Sequence, residues 1–267
     1  MWTYDAVVGQ EGPRETLAPG VPPDYYDRIA AVEDRHWWHR GMRRITKALL
    51  AGRQGTGGRL LDAGCGTGGF MRWALDSHLC DRACGVDVSS AAIELARRRV
   101  PEAELHVAPL WELPVEDSAF DLVVLNDVLQ HSPEDRVTRS LGELRRALVV
   151  DGALLVRTNG ARTYRRERDD WRLYDRPALS RALEASGFRI ERVTYANSIG
   201  SLWAAFRGSS PHAPTETTHG IPVADSPSVR SRLALALLGG EAHYLSRGST
   251  RLPFGHTLFA VAVPDAR

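Results

Sequence analysis

The sequence predicts an α/β protein: a doubly wound, mostly parallel sheet of seven strands, with an N-terminal helical lid and a late helical insertion. Three observations predict it. Short apolar runs alternate with helical patterns from Arg59 onward, the rhythm of a sheet with helices on both faces. Phe120–Asp127 is an apolar run of the kind found in strands covered on both sides. Leu60-Leu61-Asp62 runs into Ala63-Gly64-Cys65-Gly66-Thr67-Gly68-Gly69, where glycine recurs at every second position. Glycine permits the tight turn and presents no Cβ, so bare backbone can approach a nucleotide-like cofactor.

The chain has 267 residues, 43% hydrophobic and 25% charged, which suits one large domain with an embellishment. A net charge of +1 leaves no electrostatic footprint for nucleic acid or an anionic membrane. No apolar run reaches the roughly 18 residues of a membrane span. Met1–Pro23 has neither a basic start nor an apolar core, so no secretory signal is read there and the expected location is the cytoplasm. Cys65, Cys80 and Cys84 are odd in number and no His/Cys cluster has zinc spacing. They read as buried thiols, and no metal is expected.

In order, residues 1–22 carry three prolines and read as a loose arm. Residues 23–52 form the lid, helical from near Asp24 to Leu50 in one or two pieces. Residues 53–200 are the cofactor-binding core. There Arg59–Ala63 is a strand, Phe70–Leu79 a helix and Ala83–Val88 a strand. Ser89 caps the next helix, with Glu94 and Arg97–Arg99 facing water. Leu105–Ala108 and Phe120–Asp127 are strands. Pro133–Leu148 is a helix with Ser132 as N-cap and Pro133 in first position. Asp151-Gly152 turns into the strand Ala153–Thr158. Arg165–Asp170 is a mixed charge run, read as a solvated loop. Arg176–Ser186 is a helix closed by Gly187, and Phe188–Ala196 is a strand. Residues 201–254 break the rhythm as an insertion or cap. Within them Ser209–Ser228 reads as a loop, and Ser231–Leu238 and Glu241–Arg247 as short helices. In residues 255–267, His256–Val263 is the closing strand.

Gly64-x-Gly66-x-x-Gly69 matches the dinucleotide fingerprint, so an NAD-dependent dehydrogenase is one reading. Asp62 argues against it. A carboxylate two residues before the first glycine repels a pyrophosphate and attracts a cofactor bearing an ammonium and a sulfonium. Asp87 ends the next strand, where a carboxylate can accept both ribose hydroxyls. Leu113-Pro114 precedes Phe120-Asp121-Leu122-Val123, Asp127-Val128-Leu129-Gln130-His131 follows, and Leu144-Arg145-Arg146-Ala147-Leu148 leads to Asp151-Gly152. Together these pieces resemble the class I S-adenosylmethionine (SAM)-dependent methyltransferases, whose fold is Rossmann-like. Glu33-x-x-His36-Trp37-Trp38-His39-Arg40 and Arg251-Leu252-Pro253-Phe254-Gly255 are similar to the first and last signatures of a bacterial subgroup.

The resemblance implies roles. Gly64, Gly66 and Gly68, with Cys65 in the same cradle, pack under the methionine part. Asp62 helps hold its ammonium end, Asp87 takes the ribose diol, and Val88 lies on the adenine. The family's usual Asp for the adenine amino group is replaced by Pro109, so adenine is expected against Leu110 and Trp111. Asn126 and Asp127 lie near the departing methyl, and Trp37, Trp38 and Arg40 belong to the lid over SAM. His131 is the candidate general base, since histidine starts near neutral pKa; His36 and His39 are its rivals. The implied activity is methyl transfer from SAM to O, N or C of a small molecule in specialised metabolism, leaving S-adenosylhomocysteine. The rival is a SAM-binding relative with a cyclising or regulatory role.

Overall fold

The computed structural model describes residues 24–53, 58–160, 172–201 and 228–265. Two helices, the expected lid, open it: α1 (Tyr25–Val32) and α2 (Trp37–Leu49). His36 separates them, and its side chain accepts the Trp38 N–H to cap α2. Strands and helices then alternate: β1 (Arg59–Ala63), α3 (Gly69–Asp76), β2 (Arg82–Asp87), α4 (Ser90–Arg99), β3 (Glu104–Val107) and β4 (Phe120–Asn126). There follow α5 (Val137–Ala147), β5 (Leu148–Asn159), α6 (Arg176–Ala185), β6 (Phe188–Ala196), α7 (Val229–Leu245) and β7 (Thr257–Pro264). The seven strands stand in the order β3-β2-β1-β4-β5-β7-β6. β7 alone is antiparallel to its neighbours.

Alternate residues of the strands face two cores, as a period of two requires. On one face Leu61, Val123, Leu125 and Val156 pack beneath α5 and α6. On the other, Leu60, Val124, Leu155 and Phe259 pack beneath α2, α3, α4 and α7. Each such side chain, fully buried, contributes about 1.5–3 kcal/mol relative to exposure. The expected caps hold: Ser89 accepts the Ala92 N–H at 3.2 Å, and Gly187 closes α6 with φ +79°.

Three expectations are corrected. The helix foreseen from Pro133 begins at Val137, with no side-chain cap from Ser132. Pro133 has φ −55° and ψ 144°, extended rather than helical, and a short 3₁₀ turn, Glu134–Arg136, fills the interval. Asp151-Gly152 lies inside β5, in an irregularity where Phe120 pairs with Leu148 and Leu122 already pairs with Ala153. The two late helices are one, α7, whose start is closed by a Ser228–Ser231 capping box. It runs through Gly239-Gly240 because packing on α2 offsets their helix penalty of about 1 kcal/mol each. Leu238 fills the space that a Cβ on Gly41 would need, and Gly239 faces Arg44. Elsewhere the ends shift slightly; the helix foreseen to Leu79 stops at Asp76, before His78 at φ +54°. The arm 1–22, Arg165–Asp170 and most of Ser209–Ser228 lie outside the described residues.

Candidate cofactor and acceptor site

β1 carries Asp62 between Gly85 of β2 and Val124 of β4, enclosed by sheet on both sides. It is 1% exposed, and neither carboxylate oxygen has a hydrogen-bond partner among the described residues. Burial pushes its carboxyl well above the usual range; Arg157 and Arg43 oppose this, while Asp87 and Glu33 add to it.

The turn after β1 needs its glycines. Gly64, Gly66 and Gly68 have φ of +83°, +51° and +79°, a region that other residues rarely enter. The N–H groups of Gly64 and Cys65 both donate to the Val86 carbonyl, at 2.7 and 3.0 Å. A Cβ on Gly64 would strike Val128 and one on Gly68 would press on Ala96, whereas one on Gly66 would meet open space. Asp87 ends β2 and fastens the same turn, accepting the Gly66 N–H at 2.9 Å and the Ser89 N–H at 3.0 Å. Burial raises its carboxyl, and these N–H groups with that of Val88 pull it back down. An orphaned buried carboxylate, an open backbone face at Gly66 and a second carboxylate at the next strand end fit a cofactor cationic at one end and bearing a ribose diol.

At the ends of β4 and β5 the side chains form a second group. Both polar atoms of the Asn126 amide are buried without a partner. Asp127 follows at φ +57°, and the Arg157 guanidinium holds its carboxylate at 2.8 and 2.6 Å. The same guanidinium lies over the Trp38 ring at 4.9 Å, joining α2 to the sheet. Burial lowers the basicity of His39, and Arg157, Arg43, His36 and Arg99 lower it further. Its Nε2 is buried without a partner.

The remaining expected residues are placed as follows. Val88 and Trp111 are half-buried, and Arg136 lies over the Trp111 ring at 5.7 Å. Leu110 packs into the main core. Trp37 packs against the lid-side core, and Arg40 is exposed. His131 is exposed on the turn Leu129–His131, while its neighbour Gln130 is buried and accepts the Thr158 hydroxyl at 2.8 Å. The three cysteines are free and buried. Burial pushes Cys80 and Cys84 up to about 12 and raises Cys65 as well, so none is a ready nucleophile. Among the described residues, one group of metal-ligating types comes together, Cys84, Glu104 and His106 at the sheet edge. There His106 and Glu104 contact each other at 2.9 Å.

Sequence reasoning missed several residues. Arg157 is a lone cation in the apolar strand Leu154-Leu155-Val156, a signal that could have found it. Tyr25 starts α1, and its phenol is pushed up by burial first, then by Tyr26, Asp127 and Asp87. The two strand-end acids thus lie within its electrostatic reach. Glu33, Thr67, Arg43 and Arg99 join the first two helices to the turn through contacts no local pattern encodes.

Residues 61–156 match the family model described as "Methyltransferase domain". Those residues carry a class I SAM-dependent methyltransferase domain. This methyltransferase is 27% identical over 188 residues to a probable S-adenosylmethionine-dependent methyltransferase of Mycolicibacterium smegmatis, covering 67% of this chain and 70% of that one. It is 31% identical over 155 residues to a malonyl-[acyl-carrier protein] O-methyltransferase of Legionella pneumophila, covering 55% of this chain and 50% of the relative. The methyltransferase thus spans about half the length of that relative. Its fold is shared with the geranyl diphosphate C-methyltransferase of Streptomyces coelicolor, solved with Mg²⁺, geranyl diphosphate and S-adenosylhomocysteine. That match has a TM-score of 0.57 at 16% identity, over 93% of this chain and 86% of the other. Among the described residues, no helix is long and apolar enough to cross a membrane.

Proposed function

We propose that the protein transfers the methyl group of SAM to O, N or C of a small-molecule acceptor in specialised metabolism, in the cytoplasm. One observation carries this reading: the buried, unpartnered Asp62 beside the open face of Gly66, with Asp87 beyond. SAM supplies an electrophilic methyl on a sulfonium, so the chain's main work is to hold acceptor and donor in line. In this reading residues 53–200 hold SAM, and residues 23–52 and 201–254 shape the acceptor side. Asp62 faces the ammonium end and Asp87 accepts the ribose hydroxyls, with Val88, Leu110 and Trp111 around the adenine. Asn126 and Asp127 border the methyl. Arg157 keeps Asp127 in place, and Trp37, Trp38 and Arg40 close the lid. His131 takes the acceptor's proton where that proton needs a base.

Calorimetry with SAM, S-adenosylhomocysteine and NAD tests the cofactor. SAM and its product should bind and NAD should not; the reverse would overturn the reading. A panel of small acceptors, read by release of S-adenosylhomocysteine, tests the transfer.

Two variants probe the roles. Asp87→Ala removes hydrogen bonds to a charged acceptor, each worth about 1.5–3 kcal/mol, and unfastens Gly66. SAM affinity is expected to drop roughly tenfold or more by calorimetry. His131→Ala should slow turnover several-fold or more while leaving the SAM dissociation constant unchanged, because this exposed side chain lies beyond the cradle. Full turnover in that variant removes His131 as the base.

A further inference from the structure

We propose that Glu33 and Arg99 are positioning residues that couple the lid helices to the SAM-binding turn, so that filling the SAM site and seating the acceptor-side cover are one event. The inference rests on the SAM reading above and adds a coupling between its two halves.

The turn is held from two sides. On the sheet side, Asp87 and the Val86 carbonyl take the N–H groups of Gly66, Gly64 and Cys65. On the lid side stands Glu33, at the end of α1 and 7% exposed. Its Oε1 accepts from the Thr67 hydroxyl and from the Arg99 guanidinium. The same carboxyl group fills the space that a Cβ on Gly69 would need, so Gly69 is a close-approach glycine. Arg99 comes from α4 and also donates to the Ala30 carbonyl at 3.1 Å and to Asp34 at 2.7 Å. Arg43 of α2 completes the set, bonding Asp34 at 3.1 Å and the Gly69 carbonyl at 2.8 Å. The two helices therefore grip the turn on either side of Gly68, the end of α1 at Thr67 and α2 at Gly69.

The other end of the lid bears on chemistry. Trp38 of α2 lies over Arg157, which holds Asp127 at the end of β4. One pair of helices thus touches the cofactor turn through Glu33 and Arg43 and the acceptor side through Trp38. A ligand that fixes the turn stabilises the position in which Glu33 reaches Thr67, and hence that of Trp38. By linkage, a seated lid raises cofactor affinity by the same factor. Buried charge-assisted bonds are strong enough for this, because each loses its partner when the lid departs.

Hydrogen exchange with mass spectrometry and calorimetry, using S-adenosylhomocysteine as the probe, test the coupling. In the wild-type chain the probe should slow exchange in the Gly64–Gly69 turn and in α1 and α2 together. Glu33→Gln keeps the size of the side chain but removes its charge. It should bind the probe about five- to tenfold more weakly, the low end of typical coupling between sites. Bound probe should still protect the turn but no longer α1 and α2. Thr67→Val, a milder change, should repeat the pattern, and Thr67→Ser, which keeps the hydroxyl, should restore wild-type behaviour. Glu33→Gln with wild-type affinity overturns the proposal. So does weakened binding with full probe-induced protection of the lid, which would mark a merely structural loss. If Glu33→Gln fails to fold, Thr67→Val decides by the same criteria. A wild-type chain that does not bind the probe removes the SAM reading, and this inference with it.

Discussion

Replacing Asp62 with Asn is expected to stabilise the ligand-free protein and to weaken SAM binding by tenfold or more. Asp62 is sealed in the sheet with both oxygens unpartnered. A buried ion without a partner costs several kcal/mol, whereas an unpartnered amide costs about 1–3 kcal/mol. The substitution keeps shape and removes charge, so a gain of about 1 kcal/mol or more is expected. The pH dependence has a definite sign. The folded carboxyl binds its proton more tightly than the unfolded one. Its contribution to stability is therefore fully present below the unfolded carboxylate pKa and is lost as pH rises toward the raised folded value. A cationic cofactor favours the ionised form, so SAM affinity should rise with pH over the same window. Asp62→Asn should flatten both slopes, apart from the shares due to Asp87 and Glu241, whose carboxyls burial also raises. Thermal melts and calorimetry across pH read both quantities. An Asn variant that melts lower, or binds SAM as tightly as the wild type, rules out this role.

Arg157→Met should be the most damaging change to the fold near the site. It leaves Asp127 without a cation in a left-handed backbone, where its side chain is 19% exposed. Breaking a buried pair from one side costs about 3–5 kcal/mol; the partial exposure of Asp127 places this case near 3 kcal/mol. The contact with Trp38 is lost too, so the tryptophan emission of the folded state should shift. The double variant Arg157→Met with Asp127→Asn should recover most of the stability, because the loss comes from the unpaired charge. Urea melts of the three variants measure this. A single variant as stable as the wild type would show that Asp127 needs no partner.

The parts of the fold legible in the sequence are those written in local physics. Gly64, Gly66 and Gly68 stand out because positive φ excludes most other residues. The Ser89 cap and the Gly187 stop are visible because each satisfies backbone groups within a few residues. Misreadings arose where local signals competed with tertiary contacts. Ser132-Pro133 looks like a helix start, yet Pro133 stays extended. Gly239-Gly240 looks like a break, yet packing of Leu238 on Gly41 carries the helix through. In the site, the turn and the strand-end acids could be read directly. The Glu33–Thr67 and Glu33–Arg99 contacts could not, since they join residues 34 and 66 positions apart. Arg157 is marked as a lone cation after an apolar run, but its task is not, because its partners, Asp127 and Trp38, lie on other elements.

The placement of β7 bears on how the molecule is assembled during synthesis. Among the described residues, β6 has no ladder partner other than β7, which also seals the flank of β5. While the chain is being made, β5 has an uncovered edge, and β6 cannot join the sheet until synthesis has passed Pro264. The cofactor half, β1 to β4, has no such dependence, because its strands pair among themselves and with β5. The nascent chain can therefore form a cradle for SAM while the far half of the sheet is still an open, aggregation-prone edge.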